Sequence, residues 1–159
     1  RGRDFLCRKC FVDIFEKNVK HALKERKLKK TDKVLVIGQL AAYLVKELVY
    51  VPAKFEYSLN KRDGNYSVVM IEWTQDDECV AFLKAFAGHE KLALDKTIIK
   101  VLLYVRDSEA LDYAEIKNIS FKPNKKDSLW KEFLDRFADH PEMMDNLLRN
   151  AKELGEFLR

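Results

Sequence analysis

The stretch Lys33-Val34-Leu35-Val36-Ile37-Gly38-Gln39-Leu40-Ala41-Ala42-Tyr43-Leu44 decides the fold. Behind its lysine runs a short, unbroken apolar segment, the pattern of a strand buried on both faces, as in a parallel sheet. Gly38 then turns the chain, and Gln39 to Tyr50, rich in Ala and Leu, reads as a helix. Upstream, Phe11, Val12, Phe15, Val19, Ala22 and Leu23 recur at helical spacing while Glu16, Lys17, Lys20 and Lys24 face away, which predicts an amphipathic helix from Phe11 to about Lys27. Helix, buried strand, tight turn and helix open an α/β domain.

Downstream, Ala53–Leu59 and Tyr66–Trp73 are strand-like, and Asn60-Lys61-Arg62-Asp63-Gly64-Asn65 between them has the turn chemistry of a hairpin. Thr74 reads as the N-cap of a helix over Gln75–Ala87, with Asp76, Asp77 and Glu78 in its first turn and Gly88 to end it. Thr97–Val105 is a further buried strand, followed by a helix from Asp107 to Lys117. Two amphipathic helices, Ser128–Ala138 and Pro141–Leu158, close the chain. The expected fold is α/β, a mainly parallel sheet flanked by helices, with a hairpin in the middle.

Composition bounds the rest. The 159 residues, 47% hydrophobic with 5 Gly and 3 Pro, describe one folded domain rather than a disordered or collagen-like chain. No apolar run approaches the ~18 residues of a membrane span, and Arg1-Gly2-Arg3-Asp4 carry no signal-peptide core. An odd count of 3 cysteines, two of them in a C-x-x-C pair, points to metal or thiol chemistry in a reducing compartment, so a soluble cytoplasmic protein is expected. The net charge of +4 is too mild to imply nucleic acid by itself. Its distribution says more: Lys20, Lys24, Arg26, Lys27, Lys29, Lys30 and Lys33 form one basic cluster, and Lys117, Lys122, Lys125, Lys126 and Lys131 another. Each is either a phosphate-facing patch or a solvated helix end and loop.

Cys7-Arg8-Lys9-Cys10 is the sharpest local motif, because thiolates at this spacing can grip one side of a tetrahedral zinc. Two ordinary cysteines and a redox pair are the competing readings. Further ligands would have to come from Cys79, His21, His89 or His140, all distant in sequence. Cys79, inside a helix, reads as a small core residue. The triplet Asp76-Asp77-Glu78 reads as a helix start, with a magnesium site as the rival. No P-loop, G-x-G-x-x-G, nucleophile elbow or H-E-x-x-H is present. Gly38-Gln39-Leu40 stands where an α/β protein would hold a nucleotide, yet it lacks the glycines that let backbone approach phosphate.

Phe5-Leu6-Cys7-Arg8-Lys9-Cys10-Phe11, the long helix, then Lys33-Val34-Leu35-Val36 resembles the N-terminal part of the tRNA 2-thiolation enzymes of the PP-loop ATP pyrophosphatase superfamily. The closing helices, with Phe133-Leu134, His140-Pro141 and Leu147-Leu148-Arg149, resemble that family's terminal helical pair. The resemblance implies a Rossmann-type PP-loop fold over 31–159, preceded over 1–30 by half a zinc ribbon and a helix. Cys7 and Cys10 would be the zinc ligands, with the upstream Cys-x-x-Cys of the ribbon missing. The family's Ser-Gly-Gly-x-Asp-Ser loop is replaced by Gly38-Gln39-Leu40-Ala41-Ala42-Tyr43, so no ATP binding and no catalytic residue are expected, and Leu40, Tyr43 or Leu44 should plug the cup. The implied function is that of a non-catalytic, PP-loop-like subunit in tRNA thiolation. It would pair with a catalytic paralogue, and Lys24, Lys27, Lys29, Lys30, Lys125 and Lys126 would meet the tRNA backbone. Two alternatives stand beside it: an active nucleotide-dependent sulfurtransferase using Cys79, and a stand-alone homodimeric binding or regulatory module.

Overall fold

The computed structural model describes residues 6–60, 63–88, 95, 97–136 and 140–157. Among these residues ten elements follow one another: α1 (Arg8–Lys24), β1 (Lys33–Ile37), α2 (Gln39–Leu48), β2 (Lys54–Ser58), β3 (Val68–Thr74), α3 (Gln75–Phe86), β4 (Ile98–Leu102), α4 (Asp107–Lys117), α5 (Ser128–Arg136) and α6 (Pro141–Phe157). The four strands form one parallel sheet in the order β2-β1-β3-β4. The α/β class and the flanking helices are those expected from the sequence.

The hairpin is not. β2 and β3 do not pair; each lies parallel against β1, with Val36 opposite Tyr57 on one side and Met70 on the other. The reason lies in β1 itself. Val34, Leu35 and Val36 are all buried, so both faces of this strand need cover and both its edges need partners. The turn residues after β2 instead belong to a connection that returns to the opposite edge of β1.

Alternation along the strands sorts the layers. Val34, Val36, Val68, Met70, Ile99 and Val101 share a cluster with Phe15 and Val19 of α1, Leu40, Ala41, Leu44 and Val45 of α2, and Ala110, Tyr113 and Ala114 of α4. Phe15 stacks on Tyr113 at 3.9 Å between ring centroids, locking α1 onto α4. A second cluster gathers Cys79 and Val80 of α3, Leu134 of α5, Met144, Leu148 and Leu103, with Ala22 from the far end of α1. No helix among the described residues is long and apolar enough to cross a membrane.

Candidate functional site

In an open parallel sheet, ligands bind beyond the carboxyl ends of the strands, where the strand order reverses. Here that crevice lies between β1 and β3, because β1 connects outward to β2 and β3 outward to β4. Its floor is the β1–α2 turn. Gly38 caps α2 with φ 108° and ψ 155°, and its N–H donates to Ser58 O at 2.9 Å. The positive φ favours glycine. A Cβ there would also collide with the carboxyl group of Glu72.

Glu72 is the decisive residue. It continues the register Val68, Met70, Glu72 on the α2 face of β3, so its side chain reaches the first turn of α2. Its Oε1 accepts from Ala41 N–H at 3.0 Å, and the Leu40 N–H also points to the carboxylate. A protein carboxylate thus occupies the place where the amides and positive dipole end of this helix would meet an anion. Burial pushes the Glu72 carboxyl above the usual range, against the lowering pull of the two amides. Leu40 and Leu44, expected to plug the cup, are fully buried against the sheet instead, and half-buried Tyr43 lies beside Lys117. Gln39 is exposed. The correction has a simple cause: helical periodicity turns the apolar residues of α2 toward the core and leaves the cup to whatever β3 presents.

A polar network covers the neighbouring strand ends. Thr74 caps α3, with its Oγ1 accepting from Asp77 N–H at 3.2 Å while Asp77 Oδ2 accepts from Thr74 N–H at 3.0 Å. Thr74 Oγ1 donates to Asp107 Oδ1 at 2.6 Å, and Asp76 Oδ2 accepts from Asp107 N–H at 2.7 Å. Lys126 ties the network together, reaching Asp77 Oδ1 at 2.7 Å and Asp107 Oδ2 at 2.6 Å. Arg106 Nε faces Asp76 Oδ1 at 3.5 Å, and Asn124 donates to Asp77 Oδ2 at 2.8 Å. Burial raises the Asp76 carboxyl. Burial lowers the Lys126 ammonium, but its bonds to Asp107 and Asp77 outweigh that and leave it raised. Asp76 and Asp77 therefore serve the start of α3, as their spacing suggests, and among the described residues no group of three or more metal-ligating side chains forms.

Lys126 is accordingly not a surface cation. Its side chain is 8% exposed and committed to two aspartates, so it cannot meet an RNA backbone as the sequence suggested. The remaining lysines separate onto opposite edges. Lys125 is exposed at the carboxyl edge, next to Asn124, which donates to Glu72 O at 3.3 Å. The loop from Arg26 to Asp32 leads to the amino edge: Arg26 donates to Ser67 O at 3.2 Å, and Asp32 O accepts from Lys54 N–H at 3.1 Å. Lys24, Lys27, Lys29 and Lys30 are exposed, and no ion pair engages them among the described residues.

The cysteines also separate. Cys7 is the N-cap of α1, which starts three residues earlier than expected and takes Cys10 into its first turn. The two sulfurs lie 3.3 Å apart, and Cys7 Sγ accepts from Cys10 N–H at 3.4 Å. That amide bond, with the Cys10 thiol, lowers the Cys7 thiol, while the same sulfur contact raises Cys10. Exposed and unbridged, the pair offers two of the four ligands of a tetrahedral metal. His21 cannot add a third: it lies 11 residues from Cys10, about 16 Å along α1, with its ring against Tyr104. His140 is near Glu142, at 3.5 Å. His89 lies outside the described residues.

Cys79 is fully buried in the second cluster, its thiol directed at Met144 O at 4.0 Å and pushed up by burial to about 12. A protonated, inaccessible thiol is no nucleophile. It shares its cluster with Ala22, which stands twelve residues, about 18 Å, from Cys10 along α1. The three cysteines therefore cannot hold one iron–sulfur cluster between them.

No protein-family model matches this sequence, and no curated protein matches it. Solved structures do match the fold. The chain is similar to a U34-tRNA thiolase, NcsA from Methanococcus maripaludis with its [4Fe-4S] cluster, at a TM-score of 0.69 and 15% identity, over 94% of this chain and 80% of that one. At that identity the likeness establishes the shared α/β fold.

Proposed function

We propose that this chain is a non-catalytic, PP-loop-like subunit of a tRNA-thiolation assembly. The observation that carries the reading is the Glu72 carboxylate on the first-turn amides of α2, in a fold shared with a tRNA thiolase. An anion already fixed in the crevice opposes a second one twice, by occupying the amides and by like-charge repulsion. Buried, protonated Cys79 supports the same reading against an active sulfurtransferase. The cysteines of this chain, two exposed at the start of α1 and one buried in α3, do not fit the iron–sulfur cluster of the similar thiolase.

In this reading the chain keeps the fold as a scaffold for an intact, catalytic PP-loop paralogue in the cytoplasm. Cys7 and Cys10 hold one side of a structural zinc whose other ligands come from a further segment or the partner. Lys24, Lys27, Lys29 and Lys30 contact the tRNA backbone from the end of α1 and the loop into β1, as point charges that position without reading sequence. Lys125 adds a separate contact at the carboxyl edge. The test is twofold. Pull-down from the native host should recover a PP-loop paralogue with an intact Ser-Gly-Gly-x-Asp-Ser loop, and calorimetry with magnesium and ATP should show no heat of binding. Micromolar ATP affinity, or only a second copy of this chain as partner, would overturn the proposal.

A further inference from the structure

We infer that the cleft between α1, the turn after β4 and α6 is a binding site for an unpaired nucleobase. This deepens the RNA reading above and rests on it for the identity of the natural ligand. The cleft measures about 480 Å³, inside the ~300–1,000 Å³ range of small-molecule sites. Asn18, His21, Gln75, Tyr104, Asp145 and Arg149 line it. Three features set the ligand class.

The first is a ring pair. The exposed imidazole of His21 lies against the Tyr104 ring, with centroids 4.5 Å apart, and the Tyr104 hydroxyl is tied to Glu25. Aromatic and imidazole rings of this kind are what unstacked RNA bases pack on. The second is a fixed hydrogen-bonding edge. Gln75 is buried at 4% exposure and donates to Asp145 Oδ1 at 2.9 Å, which holds this carboxylate in place in the cleft that the Asn18 amide also lines. A fixed acceptor and an amide lining one cleft suit the donor and acceptor rim of a base. The third is a cation at the same wall. Arg149 stands one turn after Asp145 on α6, donates to Asn146 at 3.1 Å, and forms no ion pair with Asp145 among the described residues. It remains available for a ribose phosphate or for stacking on a base. A simple anion would meet Arg149 only against the charge of Asp145 and would gain nothing from the rings, and an apolar ligand would strand the polar side chains of the lining.

The experiment titrates the intact chain with each of the four nucleoside 5′-monophosphates, following the His21 ring protons by NMR and the affinity by calorimetry. Millimolar binding that shifts the His21 signals is expected for at least one of them. His21→Ala and Arg149→Ala, both surface changes checked for folding by circular dichroism, should each weaken it about fivefold or more, the lower end of what removing a stacking side chain costs. Tyr104→Phe, which keeps the ring, should leave binding nearly intact. No binding by any monophosphate, or binding that both alanine variants retain unchanged, overturns the site. Pull-down of a thiolase paralogue reports on the proposed assembly independently, so failure of the cleft and failure of the assembly give different results.

Discussion

The two edges of this sheet are opposites. At the carboxyl edge, charge is spent internally: Glu72 fills the α2 amides, and Lys126 and Arg106 are matched against Asp76, Asp77 and Asp107. At the amino edge, Lys27, Lys29 and Lys30 stand exposed on the loop between α1 and β1, whose Asp32 is turned inward to Lys29 N–H and Ser67. A nucleotide-using α/β protein places its free electrostatics in the carboxyl-edge crevice. In this chain Glu72 occupies the amides of that crevice, and the exposed lysines before β1 lie on the other side of the sheet.

The sharpest way to break that contrast is Lys126→Ala. It strands Asp77 and Asp107 without their cation, and a loss of about 3–5 kcal/mol in urea denaturation is expected, as for half of a buried ion pair. Lys125→Ala, one residue away and exposed, should change stability by less than about 0.5 kcal/mol. Equal effects would mean that Lys126 is not integrated as described.

Glu72→Ala comes next. Removing the carboxylate frees the α2 amides and should cost about 1 kcal/mol, comparable to losing a cap. The variant should also acquire affinity for pyrophosphate that the parent chain lacks, measured by calorimetry. Failure to gain any anion binding would show that the crevice is closed by more than Glu72.

Replacing Lys24, Lys27, Lys29 and Lys30 by alanine tests the other edge. Stability should hold, while the slope of log affinity for RNA against log salt should flatten by about 0.7–0.9 for each phosphate the protein no longer neutralises. An unchanged slope would assign these lysines to solvent alone. The smallest effect belongs to Glu72→Gln, which keeps an acceptor for Ala41 N–H and removes the buried charge. Because the folded-state pKa of Glu72 is raised, the parent chain loses stability as pH climbs from the ordinary glutamate value through that raised value. The glutamine variant should therefore be the more stable at neutral pH, and its advantage should vanish near about pH 4. An advantage that persists in acid would contradict a raised pKa.

Much of the architecture is legible in the residues alone. The run Val34–Ile37, the helical stripes of α1 and α2 and the Thr74 cap are local signals, and each structure forms where its pattern lies. The hairpin expected between β2 and β3 does not form because turn-forming residues say that the chain bends, not which strand it returns to. Glu72 escapes a reading by composition although a signal exists: Val68, Met70, Glu72 is an alternation that puts a carboxylate where the helix-facing side should be apolar. Lys126 carries no signal at all, being one lysine among several in a polar stretch.

By itself the sequence determined the class of fold, the absence of phosphate-cradling glycines after β1, and the adjacency of Cys7 and Cys10, since all three depend on residues within a few positions of one another. Tertiary structure decided which strand neighbours β1, which side chain fills the α2 amides, that Cys79 is sealed from solvent, and that one lysine of a surface-like run is an internal counter-ion. The physical reason is range. Periodicity and capping act within a turn or a strand. Burial, desolvation and ion pairing depend on groups 31 residues apart, as for Ala41 and Glu72, or 49 residues apart, as for Asp77 and Lys126, which meet only once the sheet has assembled.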